Sequence, residues 1–137
     1  MYVKIDNLHL IDSVNFLSQV PLKGKQSRQR SKFMKLLIER QKEVDEQLQE
    51  LLKEHCHLDA EGNPKKKNED KEWDIIDLPA FVADKKELYD EEYIVEGANN
   101  DGMLKALKVI LDNCEMQLSG FDAAAYDYLC DQFEKEE

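Results

Sequence analysis

The stretch from Ser27 to His55 reads SRQRSKFMKLLIERQKEVDEQLQELLKEH, and it carries the helical pattern around which the chain is organised. Phe33, Met34, Leu36, Leu37, Val44, Leu48, Leu51 and Leu52 recur at the three-to-four spacing of a helical stripe. Glu, Gln, Lys and Arg fill most of the other positions, and these straight side chains lose little freedom in a helix. No Gly or Pro interrupts the run, and Ser27 stands where an N-cap would. The spacing predicts one long helix over 27–55. Ion pairs such as Glu39 with Lys42 add roughly 0.2–0.5 kcal/mol each. The helix therefore depends on burying its apolar stripe, inside the monomer or against a partner. Leu37, Val44 and Leu51 stand seven apart, which also fits a short coiled coil.

Upstream, Tyr2 to Ile5 reads as a short strand closed by Asp6-Asn7. Leu10, Ile11, Val14 and Leu17 predict a short helix over 8–18, and Pro21 and Gly24 break it. Downstream, Asp59 to Pro64 reads as a turn, and Lys65 to Lys71 holds no apolar residue. An exposed loop at about 59–72 follows. Pro79 can open a helix ending before Asp90, with Leu88 inward. Tyr93-Ile94-Val95 reads as a second short strand able to pair with Tyr2–Ile5. The run Asn99 to Gly102 reads as a boundary. Met103, Leu104, Leu107, Ile110, Leu111, Cys114 and Leu118 predict a helix that Gly120 ends. Asp122 is placed as the cap of a last helix carrying Ala123, Tyr126, Leu129, Cys130 and Phe133, with Glu134–Glu137 frayed. The expected fold is mainly α. It is a single domain over 1–137, of four to five helices, with a long helix in its N-terminal half and a minor two-stranded β pairing.

The chain has 137 residues and a formal net charge of -11. That balance favours basic protein partners and argues against generic binding to a phosphate backbone. The charge is uneven: residues 1–68 hold 13 basic and 10 acidic residues, whereas 69–137 hold 6 and 20. This asymmetry also fits antiparallel self-association, so a homo-oligomer stays open. Three widely spaced cysteines, Cys56, Cys114 and Cys130, do not make a disulfide framework and point to a reducing compartment. No apolar run reaches membrane-spanning length, and the acidic residues in the opening segment do not suit a signal peptide. A cytoplasmic protein with no membrane partner is expected.

No P-loop, dinucleotide fingerprint, HExxH or nucleophile elbow is present, so no enzyme, no catalytic residue and no cofactor is expected. His55, Cys56 and His57 are consecutive near a helix end, where neighbours diverge by about 100°. No metal site is expected there, and Cys114 and Cys130 fall on apolar faces. Acidic groups such as Asp70, Asp74 and Asp77, or Asp90, Glu91 and Glu92, lack the spacing of a calcium loop. Lys65–Lys67 reads as a solvated loop tip.

One basic patch stands out. Lys23, Lys25, Arg28, Arg30, Lys32 and Lys35 surround the start of the long helix, where the helix dipole is also positive. They are the candidate partner-binding residues, able to meet an acidic surface or a phosphate. The same charges could instead hold the acidic C-terminal half within the chain, or simply be solvated.

Several stretches resemble a family of small phage proteins of uncharacterised function, the DUF1617 type, found in phages and prophages of Gram-positive bacteria. They are Val3-Lys4-Ile5-Asp6-Asn7, Val14-Asn15-Phe16-Leu17, Leu22-Lys23-Gly24-Lys25 and Ser27 to Phe33. The long Glu/Lys helix, the turn Asp59–Lys65 and the end from Leu107 to Phe133, with Ser119-Gly120 and Tyr126-Asp127, are similar too. The resemblance implies a phage origin and an accessory role in the host cytoplasm, and it carries over no catalytic residue. The expected function is a non-enzymatic phage accessory protein acting through protein–protein interaction with a host or phage protein. Two alternatives are an acidic inhibitor of a host nucleic-acid-binding defence protein and a nucleic-acid-binding or packaging helper using Lys23–Lys35.

Overall fold

A computed structural model describes residues 1–135. Ten elements follow in order: β1 (Val3–Asp6), a 3-10 turn (Asn7–His9), α1 (Leu10–Gln19), α2 (Gly24–His55), β2 (Lys66–Lys67), β3 (Glu72–Trp73), α3 (Leu78–Asp90), β4 (Glu92–Val95), α4 (Ala98–Asp112) and α5 (Gly120–Glu134). The fold is mainly α, with five helices and two small antiparallel pairings among the described residues. Contacts group the chain into two compact units. One joins Met1–Gln41 to the chain from Glu92 onward, and the other is Lys42–Glu91.

In the first unit the expected strand pair is present. β1 and β4 run antiparallel, Val3 opposite Val95 and Ile5 opposite Tyr93. Val3, Ile5 and Val95 are buried while Lys4 and Ile94 face out, the alternation of a sheet with one covered face. α5 is the element the others meet. It packs on α1, α4 and β1. Phe133 stands edge-on to Phe33 of α2 at 5.8 Å, and Tyr126 meets Phe16 of α1 at 5.6 Å. Two polar ties accompany this packing. The Tyr126 hydroxyl donates to the Leu111 carbonyl (2.8 Å), and the Asp6 amide donates to the Tyr128 hydroxyl (3.0 Å).

In the second unit Leu52, Cys56 and Phe81 are buried together, with Leu48, Leu51, Trp73 and Ile75 packed against them. The loop expected over 59–72 is partly structured. β2 and β3 form a hairpin whose tip, Asn68, Glu69 and Asp70, is left-handed throughout (φ 54, 58 and 65). Lys66 covers the Trp73 ring at 4.6 Å, a cation–π contact. It supplies one stabilising contact in a segment whose sequence, read alone, contains only polar residues.

Several boundaries differ from expectation. α2 starts at Gly24 rather than Ser27, because Gly24 takes a left-handed φ of 63 and lets the helix begin directly after the turn. α3 opens at Leu78, one residue before Pro79, and runs through Asp90 rather than ending before it; its first turn is capped by Asp77 accepting from the Ala80 amide (3.2 Å). The run Asn99 to Gly102 is not a boundary but the first turn of α4. Gly97, at φ 103, makes the preceding bend, and Asn100 donates from its side chain to the Glu96 carbonyl (2.9 Å). α4 stops at Asp112, so Leu118 lies outside it, and Gly120 opens α5 rather than ending the helix before it. The Asn113 amide makes the last helical bond, to the Val109 carbonyl (3.0 Å), and the Cys114 amide then turns to the Leu111 carbonyl (3.3 Å), which ends α4 there. The α5 cap position falls to Ser119, while Asp122 in the first turn accepts from Gln19 (3.0 Å). Of the fraying expected over Glu134–Glu137, the part at Glu136 and Glu137 lies outside the described residues.

Burial sets a pH dependence. The hydroxyl of Tyr126 is pushed up to about 12, first by its hydrogen bond with Cys130 and then by burial. That of Tyr128 is also pushed up to about 12, chiefly by burial. Unfolded tyrosine ionises near pH ~10. Between the two values the unfolded chain has released protons that the folded chain still holds, so stability present below pH ~10 is lost as pH rises toward 12. The thiols of Cys56 and Cys130, both raised chiefly by burial, act in the same sense. Thermal melts taken from pH about 9 to 12 should show a falling melting temperature, and Tyr126→Phe with Tyr128→Phe should flatten the fall. An unchanged slope in the double variant would contradict this origin.

Candidate functional site

Two groups of charged side chains gather on the surface, one in each unit. The first is the start of α2. Phe33 and Leu37 are fully buried, which fixes how the helix is rotated about its axis. At about 100° per residue, Lys25, Arg28, Lys32 and Lys35 then fall within an arc of about 80° on the opposite side. All four are exposed. The earlier start of α2 brings Lys25 onto this face, so the basic stripe runs over more than two helical turns. Lys23 is exposed just before the helix.

Arg30 belongs elsewhere. It lies on the side of Leu37, half-buried, and its Nη1 donates to the carbonyls of Leu17 (3.2 Å) and Val20. Those carbonyls end α1, where a cation is favoured by the helix dipole. Arg30 thus ties the end of α1 to α2 and is not on the exposed stripe. Lys32 donates from Nζ to the Asn99 carbonyl at 2.8 Å, so one stripe member also touches the start of α4. Among the described residues Lys25, Arg28 and Lys35 make no hydrogen bond or ion pair. The intramolecular pairing with acidic residues that the sequence left open is not seen for these three among the described residues.

Local physics does not favour this placement. The first turn of α2 contains no acidic residue, and cations near a helix N-terminus oppose the dipole at about 0.3–1 kcal/mol each. Helix stability is no reason for the stripe to be there.

The second group lies in Lys42–Glu91. The last turns of α2 and the inner side of α3 border a groove of about 320 Å³ lined by Gln47, Glu50, Leu51, Asp84, Glu87, Leu88 and Glu91. At its end His55 sets Nε2 2.7 Å from Oδ2 of Asp84, and the imidazole stands edge-on to Phe81 at 5.6 Å. Glu54 brings a third donor atom, all three lying within 4.8 Å of one another. The unit carries 16 acidic and 8 basic residues, so the field in this groove is negative.

The consecutive His55, Cys56 and His57 diverge as their spacing implied. Cys56 turns into the core, where burial, and then the Asp74 carboxylate, push its thiol up. His57 is exposed and its backbone amide donates to the Asp74 carbonyl (3.0 Å). The three cysteines are free. Of the acidic residues weighed as calcium ligands, Asp77 caps α3 and Asp90 pairs with Lys86. Sequence reading missed Asp84, because its relation to His55 spans 29 residues and arises only when α3 folds back beside α2; Glu54, next to His55, was one carboxylate among many until Asp84 joined it. No helix among the described residues is long and apolar enough to cross a membrane.

No family model, no curated protein and no solved structure matches this chain.

The two arginines give a direct check on this division of roles. Arg30→Ala should lower stability by about 1–3 kcal/mol, since it leaves two carbonyls at the α1 end without a charged donor. Arg28→Ala should change stability by no more than about 0.5 kcal/mol. Urea melts of both variants decide it, and equal losses would contradict the assignment.

Proposed function

We propose that this chain is a non-enzymatic interaction protein that binds an acidic surface of a host or phage protein through Lys25, Arg28, Lys32 and Lys35, with Lys23 at the margin. The observation that carries this reading is the stripe itself: four exposed cations share one helical face, and three of them have no partner among the described residues. The face is built on a helix fixed by buried Phe33 and Leu37, so its charges are presented in a set order at little cost in ordering on binding. Such a patch raises the rate of encounter with an acidic partner and gives it a register. The resemblance of the opening and closing segments to the small phage proteins supports an accessory role during infection, in the host cytoplasm.

The acidic groove supports a second reading, in which Lys42–Glu91 occupies a basic surface that normally meets phosphates. Glu50, Asp84, Glu87 and Glu91 line one groove, and such a group of carboxylates can compete with a nucleic-acid backbone for lysine and arginine. Under that reading the protein is an acidic inhibitor of a nucleic-acid-binding defence protein. A nucleic-acid or packaging helper would use the basic stripe instead.

Affinity capture from lysate of infected host cells, with and without nuclease, separates these readings. The wild-type protein should retain a stoichiometric partner after nuclease treatment. The variant carrying Lys25→Glu, Arg28→Glu, Lys32→Glu and Lys35→Glu should lose it at least about tenfold, with helicity by circular dichroism unchanged. Equal retention by the variant would remove the stripe from the account. Recovery only without nuclease would transfer the stripe to nucleic acid.

A further inference from the structure

We propose that Glu54, His55 and Asp84 form a binding site for a divalent transition-metal ion, zinc by its donor set. The proposal is independent of the basic stripe, which lies at the other end of α2.

The site rests on a mixed donor set. One imidazole nitrogen and two carboxylate oxygens, from the last turn of α2 and from α3, lie within 4.8 Å of one another. Zinc takes His nitrogen and Asp or Glu oxygen at about 2.0–2.2 Å, so donors around one ion stand about 3.3–3.5 Å apart. The adjustment to that spacing falls to the two carboxylates. Glu54 is exposed, and the side chain of Asp84 is 45% exposed, so both carboxylates can move. The least adjustable ligand is already held: the His55 side chain is 15% exposed, and its ring is set edge-on against buried Phe81. Its Nε2 points at Asp84.

On binding, the ion replaces the contact between His55 Nε2 and Asp84. Nε2 must then offer its lone pair to the ion. Three protein ligands leave at least one position for water, the arrangement of an open site. Glu50 and Glu87 border the same groove and add to the negative field that draws in a cation. The imidazole decides between metals. Magnesium and calcium prefer oxygen alone, whereas an imidazole with carboxylates suits zinc and its neighbours in the first row.

Titration calorimetry of the tag-free full chain, stripped with chelator and desalted, tests the site with zinc chloride alone. One zinc per chain is expected. His55→Ala and Asp84→Asn should each weaken it at least about tenfold, and Glu54→Gln, an exposed change with no part in the core, should weaken it in the same direction. Cys56→Ser and His57→Ala should bind as the wild type does. Helicity is checked for each variant, and Glu54→Gln keeps the test valid should Asp84→Asn fail to fold. The absence of saturable binding would overturn the proposal. So would wild-type affinity in His55→Ala, or loss of binding in Cys56→Ser or His57→Ala. Calcium chloride binding as tightly as zinc would overturn the assignment of the imidazole as a ligand.

Discussion

The rotational setting of α2 is the constraint on which the rest depends. Along a packed stretch of helix, each side chain has a single direction in which it can point once one face is committed. Phe33 and Leu37 commit it in the first unit, and Leu52 commits it in the second. Arg30 reinforces the setting by gripping the end of α1. Everything proposed for the surface of α2 is a consequence. The cations at its start face away from the core, and Glu54 and His55 at its end come beside Asp84.

The units also redistribute the charge that the linear sequence displays. The contrast between a slightly basic first half and a strongly acidic second half does not survive folding in that form. The strongly acidic segment from Glu92 onward, with 11 acidic and 3 basic residues, shares a unit with Met1–Gln41, which holds 3 and 8. That unit is therefore close to balanced, and its cations matter as a local stripe rather than as net charge. The unit Lys42–Glu91 is where acidity is concentrated relative to length, and there four carboxylates line one groove. Exposed pairs such as Lys53 with Glu50 add little stability, so these charges matter more for what they attract than for what they hold together.

Much of the fold was legible because it follows local rules. The long helix is written in the spacing from Phe33 to Leu52, and the pairing of β1 with β4 in two short β-branched and aromatic runs. Boundaries were less legible where a backbone conformation decided them. Leu118 continues the apolar period beyond Cys114, yet Asn113 closes α4 before it. Gly120 can end a helix or precede one, and only the surrounding packing selects between them. The small β2–β3 hairpin was hidden because its one aromatic residue, Trp73, lies at the edge of a wholly polar segment. The basic stripe was visible as composition but not as geometry: six cations were candidates, and the structure turns Arg30 inward while aligning four others. Asp84 was not legible at all, since nothing near it in sequence points to His55.

Hydrogen–deuterium exchange along α2 is the most direct test, because the stripe assumes a packed helix around Phe33 and Leu37 and the cluster assumes one around Leu52. Protected amides are predicted from Arg28 through Leu37 in the first unit and from Leu48 through Lys53 in the second. Fast exchange within the first stretch would contradict the rotational setting of the basic stripe. Fast exchange within the second would contradict that of Glu54 and His55.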